Sequence, residues 1–356
     1  MSRPRSINMA LLTEGGDVST AFYKHCPPDG GRTKKSMLLE PIAVTGATGF
    51  IASHLVPKLV GAGCRPILLT RSWDEKIHFP SSQDRIRWTE IDITNRDSLK
   101  KILQKEKPAV LFHLAGVRGR INDPDDAAGC DQINFHATVS LLEEAVLAGV
   151  RRIVIIGSSE EYGNQSGPLH EGLSPRPETP YGISKAKATE RALEMHAGDG
   201  CPVVVIRPFS VYGPAQPSDM FVAEAVDCAL RNAPFKMSQG TQKRDLIFVE
   251  DVVRGLIDAA AAPGIEGRVI NLGTGKAHRL RDVAEDIWRM TETEAPLVIG
   301  ARYASPEQLY DTWADITLAR RLLGWEPMID LDTGLMQTIE WARKHFEAKV
   351  GLCQTT

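Results

Sequence analysis

The sequence predicts an α/β protein, a doubly wound parallel sheet with helices on both faces and a smaller C-terminal α/β lobe. Two observations carry this. From residue 40 onward, short apolar β-branched runs alternate with helical patterns, placing strands near 41–45, 65–70, 85–91, 109–113, 151–156 and 202–206. The first run also feeds a glycine-rich turn that opens a helix, the arrangement that puts ligands at the carboxyl ends of parallel strands.

In chain order, Ile42–Thr45 reads as the first strand and Gly46-Ala47-Thr48-Gly49 as the turn. Phe50 to Val60 then shows helical periodicity. Gly46 permits the tight turn, Gly49 lets backbone N–H groups approach a pyrophosphate at the helix N-terminus, and Ala52 keeps the helix close to the strand. This is a dinucleotide-binding, Rossmann-type opening, with Gly46, Thr48, Gly49, Phe50 and Ile51 as candidate cofactor contacts. The second strand ends in Leu68-Leu69-Thr70-Arg71-Ser72, with no carboxylate before Asp74 to receive a ribose 2′-hydroxyl. Arg71 can instead pair with a 2′-phosphate, which favours NADP. The alternative is a solvated Arg71, with NAD bound without an acidic anchor.

Further along, Tyr181 and Lys185 stand on one face of a predicted helix, four residues apart. A phenol is a poor base at neutral pH, and a fixed ammonium beside it should lower its pKa and allow proton exchange with a substrate hydroxyl. Ser158, at the end of the fifth strand, can hold the same oxygen. Ser158, Tyr181 and Lys185 are therefore the candidate catalytic set, suited to oxidising an alcohol or reducing a ketone.

Composition sets bounds on the reading. The 356 residues suit one or two domains with a full core, and the net charge of −3 with 24% charged residues gives no basic footprint for nucleic acid. The apolar runs are of strand length, far short of a membrane span. Six scattered cysteines show neither metal spacing nor a disulfide framework, so reduced thiols in a cytoplasmic protein and no metal are expected. Residues 1–39 carry Gly and Pro punctuation without periodicity and are expected to be a flexible extension. After 207 the pattern becomes irregular. The expected division is a dinucleotide-binding domain from 40–206 plus 243–275, and a substrate lobe from 207–242 plus 276–350.

Taken together, these motifs resemble an extended short-chain dehydrogenase/reductase of the nucleotide-sugar-modifying branch, from about residue 40 to about residue 345. The landmarks run in family order. They are the glycine loop at 45–52, Asp92-Ile93, His113-Leu114-Ala115-Gly116, Ile133-Asn134, Ser158, Tyr181/Lys185 and Arg207 to Pro214. Lys243 to Val252, Asn271 to Gly275 and Leu322 to Pro327 complete the series. The resemblance implies that Asp92 and Ile93 contact adenine, that Leu114, Ala115 and Gly116 border the cofactor, and that Lys185 also holds the nicotinamide ribose. It implies a nucleoside-diphosphate sugar as substrate, with Ser159, Ser210, Arg244 and Arg302 as binding residues, and a homodimer.

Bland readings stand beside several of these: a helix cap for Asp92, a turn glycine for Gly116, and an ion pair with Asp245 or Asp251 for Arg244. Ser210 replaces an Asn common in the family, and Arg302-Tyr303-Ala304-Ser305 departs from the usual Arg-x-Gly-Asp pattern. Glu160 occupies the position of the base that removes the C5 proton in dehydratases of this branch. The neighbouring acid is Ser159 here, however, and a solvated loop carboxylate is the alternative. Arg71 tilts the expectation towards an NDP-4-keto-6-deoxyhexose reductase that consumes NADPH. A 4-epimerase or 4,6-dehydratase with retained cofactor is the alternative, and a catalytically silent dinucleotide-binding protein is the non-enzyme reading.

Overall fold

The computed structural model describes residues 38–72, 83–119, 124–303 and 311–353. Apart from Leu38 and Leu39, the expected N-terminal extension lies outside them, as do Asp74, Ala304 and Ser305. In chain order the strands are β1 Ile42–Thr45, β2 Ile67–Thr70, β3 Arg87–Glu90, β4 Val110–His113, β5 Arg152–Ile156, β6 Gly167–Leu169, β7 Val203–Pro208 and β8 Ser210–Tyr212. They continue as β9 Phe235–Met237, β10 Lys243–Arg244, β11 Leu246–Phe248, β12 Val269–Leu272, β13 His278–Arg279, β14 Leu297–Ile299 and β15 Thr312–Ala314. The helices used below are α1 Phe50–Gly61, α2 Arg96–Glu106, α3 Pro124–Cys130, α4 Ala137–Leu147, α5 Pro180–Asp199, α6 Phe221–Leu230, α7 Val249–Ala261 and α8 Leu280–Thr291. A π-helical turn, Asp131–His136, links α3 to α4.

Seven strands form one sheet in the order β12-β7-β5-β4-β1-β2-β3, and every pairing in it is parallel. Its strands alternate sides with a period of two. Ile42, Val44, Phe112, Val154 and Val204 point into one core, and Ala43, Leu111, Ile153, Ile155 and Val203 into the other. That two-sided burial explains why the strands read as continuous apolar runs. The chain order reverses between β1 and β4, so the crevice at their carboxyl ends is the topological switch point where this fold binds ligands.

The smaller lobe is built from separated pieces of chain. A four-stranded sheet in the order β13-β10-β15-β6, the pair β11-β8 and the pair β14-β9 lie around a third core that includes Val222, Phe235, Phe248, Ile287 and Leu335. Compared with the boundaries expected above, β7 continues to Pro208, and β6, β10 and β11 join the small sheets, while β12 completes the large one. Among the described residues no helix is long and apolar enough to cross a membrane.

Candidate active site

The glycine loop sits at the switch point. Gly46 has φ +64°, and a Cβ there would lie 2.5 Å from the backbone nitrogen of Ala115 on the loop after β4. Only glycine allows that approach without strain. The Gly49 N–H donates to the Gly46 carbonyl at 2.9 Å, closing the turn. Helix α1 then starts with no side-chain cap and no acidic residue in its first turn. Its leading N–H groups and positive dipole end are left for an anion, which fits a dinucleotide pyrophosphate. Thr48 is exposed at this end, with Phe50 and Ile51 half-buried behind it.

At the adenosine end, Ile93 is buried and Asp92 is exposed. The Asp92 carboxylate accepts hydrogen bonds from the Thr94 N–H at 2.9 Å and the Thr94 hydroxyl at 2.8 Å. Those bonds hold it below the usual carboxylate range, and the nearby Arg71 guanidinium adds to the effect. Asp92 is therefore a turn-former, with the Arg71 charge in its vicinity.

Helix α5 brings the reacting groups together. Thr179 caps it by accepting from the Gly182 N–H at 2.9 Å, Pro180 occupies the first turn, and Gly200 ends it in the left-handed region. Tyr181 emerges in the first turn, near enough to Ser158 for that side chain to favour its phenolate. Lys185 is buried one turn on, with Nζ 5.8 Å from the Tyr181 ring centroid and donating to the Ile156 carbonyl at 2.9 Å. A Cβ on Gly116 would come within 3.3 Å of that Nζ, so the loop after β4 must be bare where the ammonium points.

The electrostatics differ from the expectation that Lys185 lowers the Tyr181 pKa. Burial pushes the phenol above its ordinary value and Glu160 adds to this, while the Ser158 side chain opposes it. Burial also pushes the Lys185 ammonium down to about 8. The physical reason is shared: both groups lie in low dielectric, which disfavours phenolate and ammonium alike.

A polar network that sequence reasoning missed holds this set in place. Glu161 is wholly buried; its Oε1 accepts from the Ser158 N–H at 2.8 Å and its Oε2 from Arg207 Nε at 2.9 Å. The Arg207 guanidinium lies 4.8 Å from the Tyr162 ring centroid, and the Tyr162 hydroxyl donates to Asn271 Oδ1 at 2.8 Å. On the other side Asn134, carried by the π-helical turn, accepts from the Val117 N–H and donates to the Val117 carbonyl, both at 2.8 Å. It also donates to Ser184 at 3.0 Å, which ties the loop after β4 to α5. His113 bridges Thr45 at 2.7 Å and Thr138 at 2.9 Å, and burial pushes its pKa down to about 3. The signal for these residues was present as polar letters inside apolar motifs, without any indication of their distant partners.

On the substrate side, the 3₁₀ turn Ser159–Glu161 places Ser159 half-buried and Glu160 exposed. The Thr179 hydroxyl donates to Glu160 Oε2 at 2.8 Å. Ser210 is half-buried at the start of β8, where its N–H donates to the Asp245 carbonyl. Arg244 on β10 donates to the Lys243 carbonyl at 2.9 Å; burial pulls its pKa down, and Asp311 and Glu160 act against that.

The two acids offered as ion-pair partners for Arg244 serve other ends. Asp245 accepts from Thr274, Gly275 and Ala314 N–H groups. Asp251 pairs with Arg254 at 2.6 Å and accepts from the Met328 and Ile329 N–H groups. Arg302 is engaged elsewhere: Glu224 on α6 binds its guanidinium through both oxygens, one contact measuring 2.8 Å. A phosphate at Arg302 would compete with that carboxylate.

Comparison with known proteins identifies the family. The family model described as the NAD dependent epimerase/dehydratase family matches residues 42–273. The UDP-glucuronate 4-epimerase of Thermodesulfobacterium geofontis is 31% identical over 85% of this chain and 96% of its own length. The UDP-glucose 4-epimerase of Mycolicibacterium smegmatis is 33% identical over 84% and 97%. Among solved structures, the UDP-glucuronic acid 4-epimerase of Bacillus cereus, in complex with UDP-glucuronic acid and NAD, superposes with a TM-score of 0.79. It is 29% identical, with 85% of this chain and 99% of that chain covered.

Proposed function

Since the chain belongs to the NAD dependent epimerase/dehydratase family, we propose that it is an NAD-retaining 4-epimerase of a UDP-hexose. This replaces the reductase that Arg71 suggested. The observation that carries the choice is the content of the turn Ser158-Ser159-Glu160. Elimination of water across C5 and C6 needs an acid for the departing hydroxyl and a base at C5. Ser159 cannot serve as that acid at neutral pH, and the Glu160 carboxylate is tied to the Thr179 hydroxyl. The ketone chemistry, by contrast, needs only groups that the site brings together.

Ser158 and Tyr181 hold the C4 hydroxyl, and Tyr181 takes its proton as C4 is oxidised and returns it to the same oxygen when C4 is reduced from the other face. Lys185, close to the bare Gly116 and beside Tyr181, is placed to bind ribose hydroxyls. Arg244 draws the diphosphate. When bound, the nicotinamide supplies the acceptor and donor of one hydride at C4. The matching family is described as NAD dependent and the Bacillus cereus epimerase was solved with NAD, so NAD is the dinucleotide proposed.

The test is to incubate the purified protein with UDP-glucose, without added cofactor, and follow the sugar by NMR. Formation of the C4 epimer with no net change in the near-ultraviolet band of reduced nicotinamide is expected, with NAD released on denaturation. Stoichiometric NADPH consumption with an NDP-4-keto-6-deoxyhexose would establish the reductase instead. A 4-keto-6-deoxy product from UDP-glucose would establish a dehydratase.

A further inference from the structure

We propose that Glu160 is a specificity-determining residue that restricts the sugar site to nucleotide hexoses with an uncharged group at C6 and excludes nucleotide uronates. The inference rests on the epimerase reading and deepens it. The carboxylate has a fixed position despite its exposure. The Thr179 hydroxyl, itself bound to the Gly182 N–H, donates to Glu160 Oε2 at 2.8 Å. A Cβ on Gly182 would lie 2.7 Å from the Glu160 carbonyl oxygen, so the 3₁₀ turn and the first turn of α5 are packed backbone to backbone. Glu160 is thus anchored beside Tyr181, two residues from Ser158.

Its field reaches both ends of the proposed substrate path. Glu160 acts on Tyr181, where the C4 oxygen reacts, and on Arg244, where the diphosphate binds. A sugar lying between those two groups runs alongside the carboxylate. C6 hangs from C5, the immediate neighbour of C4, so its substituent stays in the neighbourhood of Tyr181 when C4 is seated. A C6 hydroxyl can donate to Glu160. A C6 carboxylate brings a second negative charge beside Glu160, and like charges repel.

Among the described residues, two cations near Tyr181 are engaged. Arg118, on the loop after β4, also acts on Tyr181, but its Nη2 lies 3.0 Å from Asp219 Oδ2 on the loop before α6. Lys185 donates to the Ile156 carbonyl. The hydroxyls of Ser158 and Ser159 carry no charge. This selection is independent of which relatives are most similar overall, because it depends on one side chain in the sugar site.

The test measures binding by calorimetry, and turnover by NMR, of UDP-glucose and UDP-glucuronate with the unmodified protein, Glu160→Gln and Asp219→Asn. The unmodified protein should prefer UDP-glucose by ~10-fold or more in both affinity and kcat/KM. Glu160→Gln should shrink that ratio by ~10-fold, chiefly by improving UDP-glucuronate. Asp219→Asn, by releasing Arg118, should move the ratio in the same direction. A uronate bound and turned over as well as UDP-glucose by the unmodified protein, or a ratio unmoved by both variants, overturns the proposal. A ratio that moves in binding while neither sugar is epimerised upholds Glu160 as the selector and overturns the epimerase reading alone. Binding of neither sugar nucleotide overturns both.

Discussion

Glu161→Gln tests how much the buried network matters to the site. Glu161 is 0% and Arg207 3% exposed, and their contacts measure 2.9 Å to Nε and 2.6 Å to Nη2. Gln keeps an oxygen for the Ser158 N–H and nearly the same volume, so packing and the cap are preserved while the charge is removed. Arg207 is then left buried without its counter-ion. Breaking one partner of such a pair costs ~3–5 kcal/mol, far more than an exposed pair would. With about 2–4 °C lost per kcal/mol in a domain of 150–250 residues, the melting temperature should fall by an amount on the order of 10 °C. Urea unfolding should show a lower midpoint at unchanged slope, since the surface exposed is the same. A loss below ~1 kcal/mol would refute the argument that this pair is desolvated and mutually dependent. Removing the orphaned charge as well while keeping the acceptor for the Ser158 N–H, Glu161→Gln with Arg207→Met, should recover much of the stability.

Three further outcomes are expected. Tyr181→Phe retains the ring and should lower kcat by ~10²-fold or more with unchanged circular dichroism; near-normal turnover would reject Tyr181 as the proton carrier. Lys185→Met should abolish most activity yet raise the melting temperature of the protein at pH 7. The folded-state pKa of Lys185 is about 8 against an ordinary 10.5, so below pH 8 the fold carries a poorly solvated cation. That cost is full below about 8 and fades as pH rises towards 10.5, and the gain from Met should fade with it; a pH-independent gain would contradict the assignment. Gly46→Ala forces a residue with φ +64° and a Cβ 2.5 Å from the Ala115 nitrogen, so it should cost ~1–3 kcal/mol and weaken NAD binding measured by calorimetry. Unchanged affinity would remove the loop from the cofactor site.

The parts of the fold legible in the sequence are those written in local patterns. The strand expected near 151–156 is found at Arg152–Ile156, and the one near 109–113 at Val110–His113, because both are buried on two faces and flanked by helical periods. The strand near 202–206 is found at Val203–Pro208, carried on by Arg207 with its buried partner. The small sheet was not legible. Its strands β10 and β13 have two residues each, too short for any alternation, and their partners lie far along the chain. The site divides in the same way. Ser158, Tyr181 and Lys185 are marked by spacing, whereas Glu161 and Asn134 depend on partners 46 and 50 residues away, Arg207 and Ser184. The Lys185 field was misjudged because side-chain spacing says nothing of dielectric. The ion pair of Arg302 was not legible because nothing in its own segment announces Glu224, 78 residues earlier.

The strand order has a consequence for how the protein is made. The outer strand β12 at Val269–Leu272 pairs with β7, which itself follows β5, so synthesis passes through the entire first half and much of the small lobe before the large sheet is closed. Until then, a growing chain on the ribosome presents β7, with Val203, Val204, Val205 and Ile206, as an apolar edge with unpaired backbone groups. Such an edge is a template for pairing with a neighbouring nascent chain. Asn271 closes that window as it emerges, since its backbone joins the β7 ladder while its side chain meets Tyr162 and the Leu169 carbonyl. Translation of the last third thus protects the first two-thirds, and a dinucleotide-binding piece ending at 206 would carry β7 as an uncovered edge.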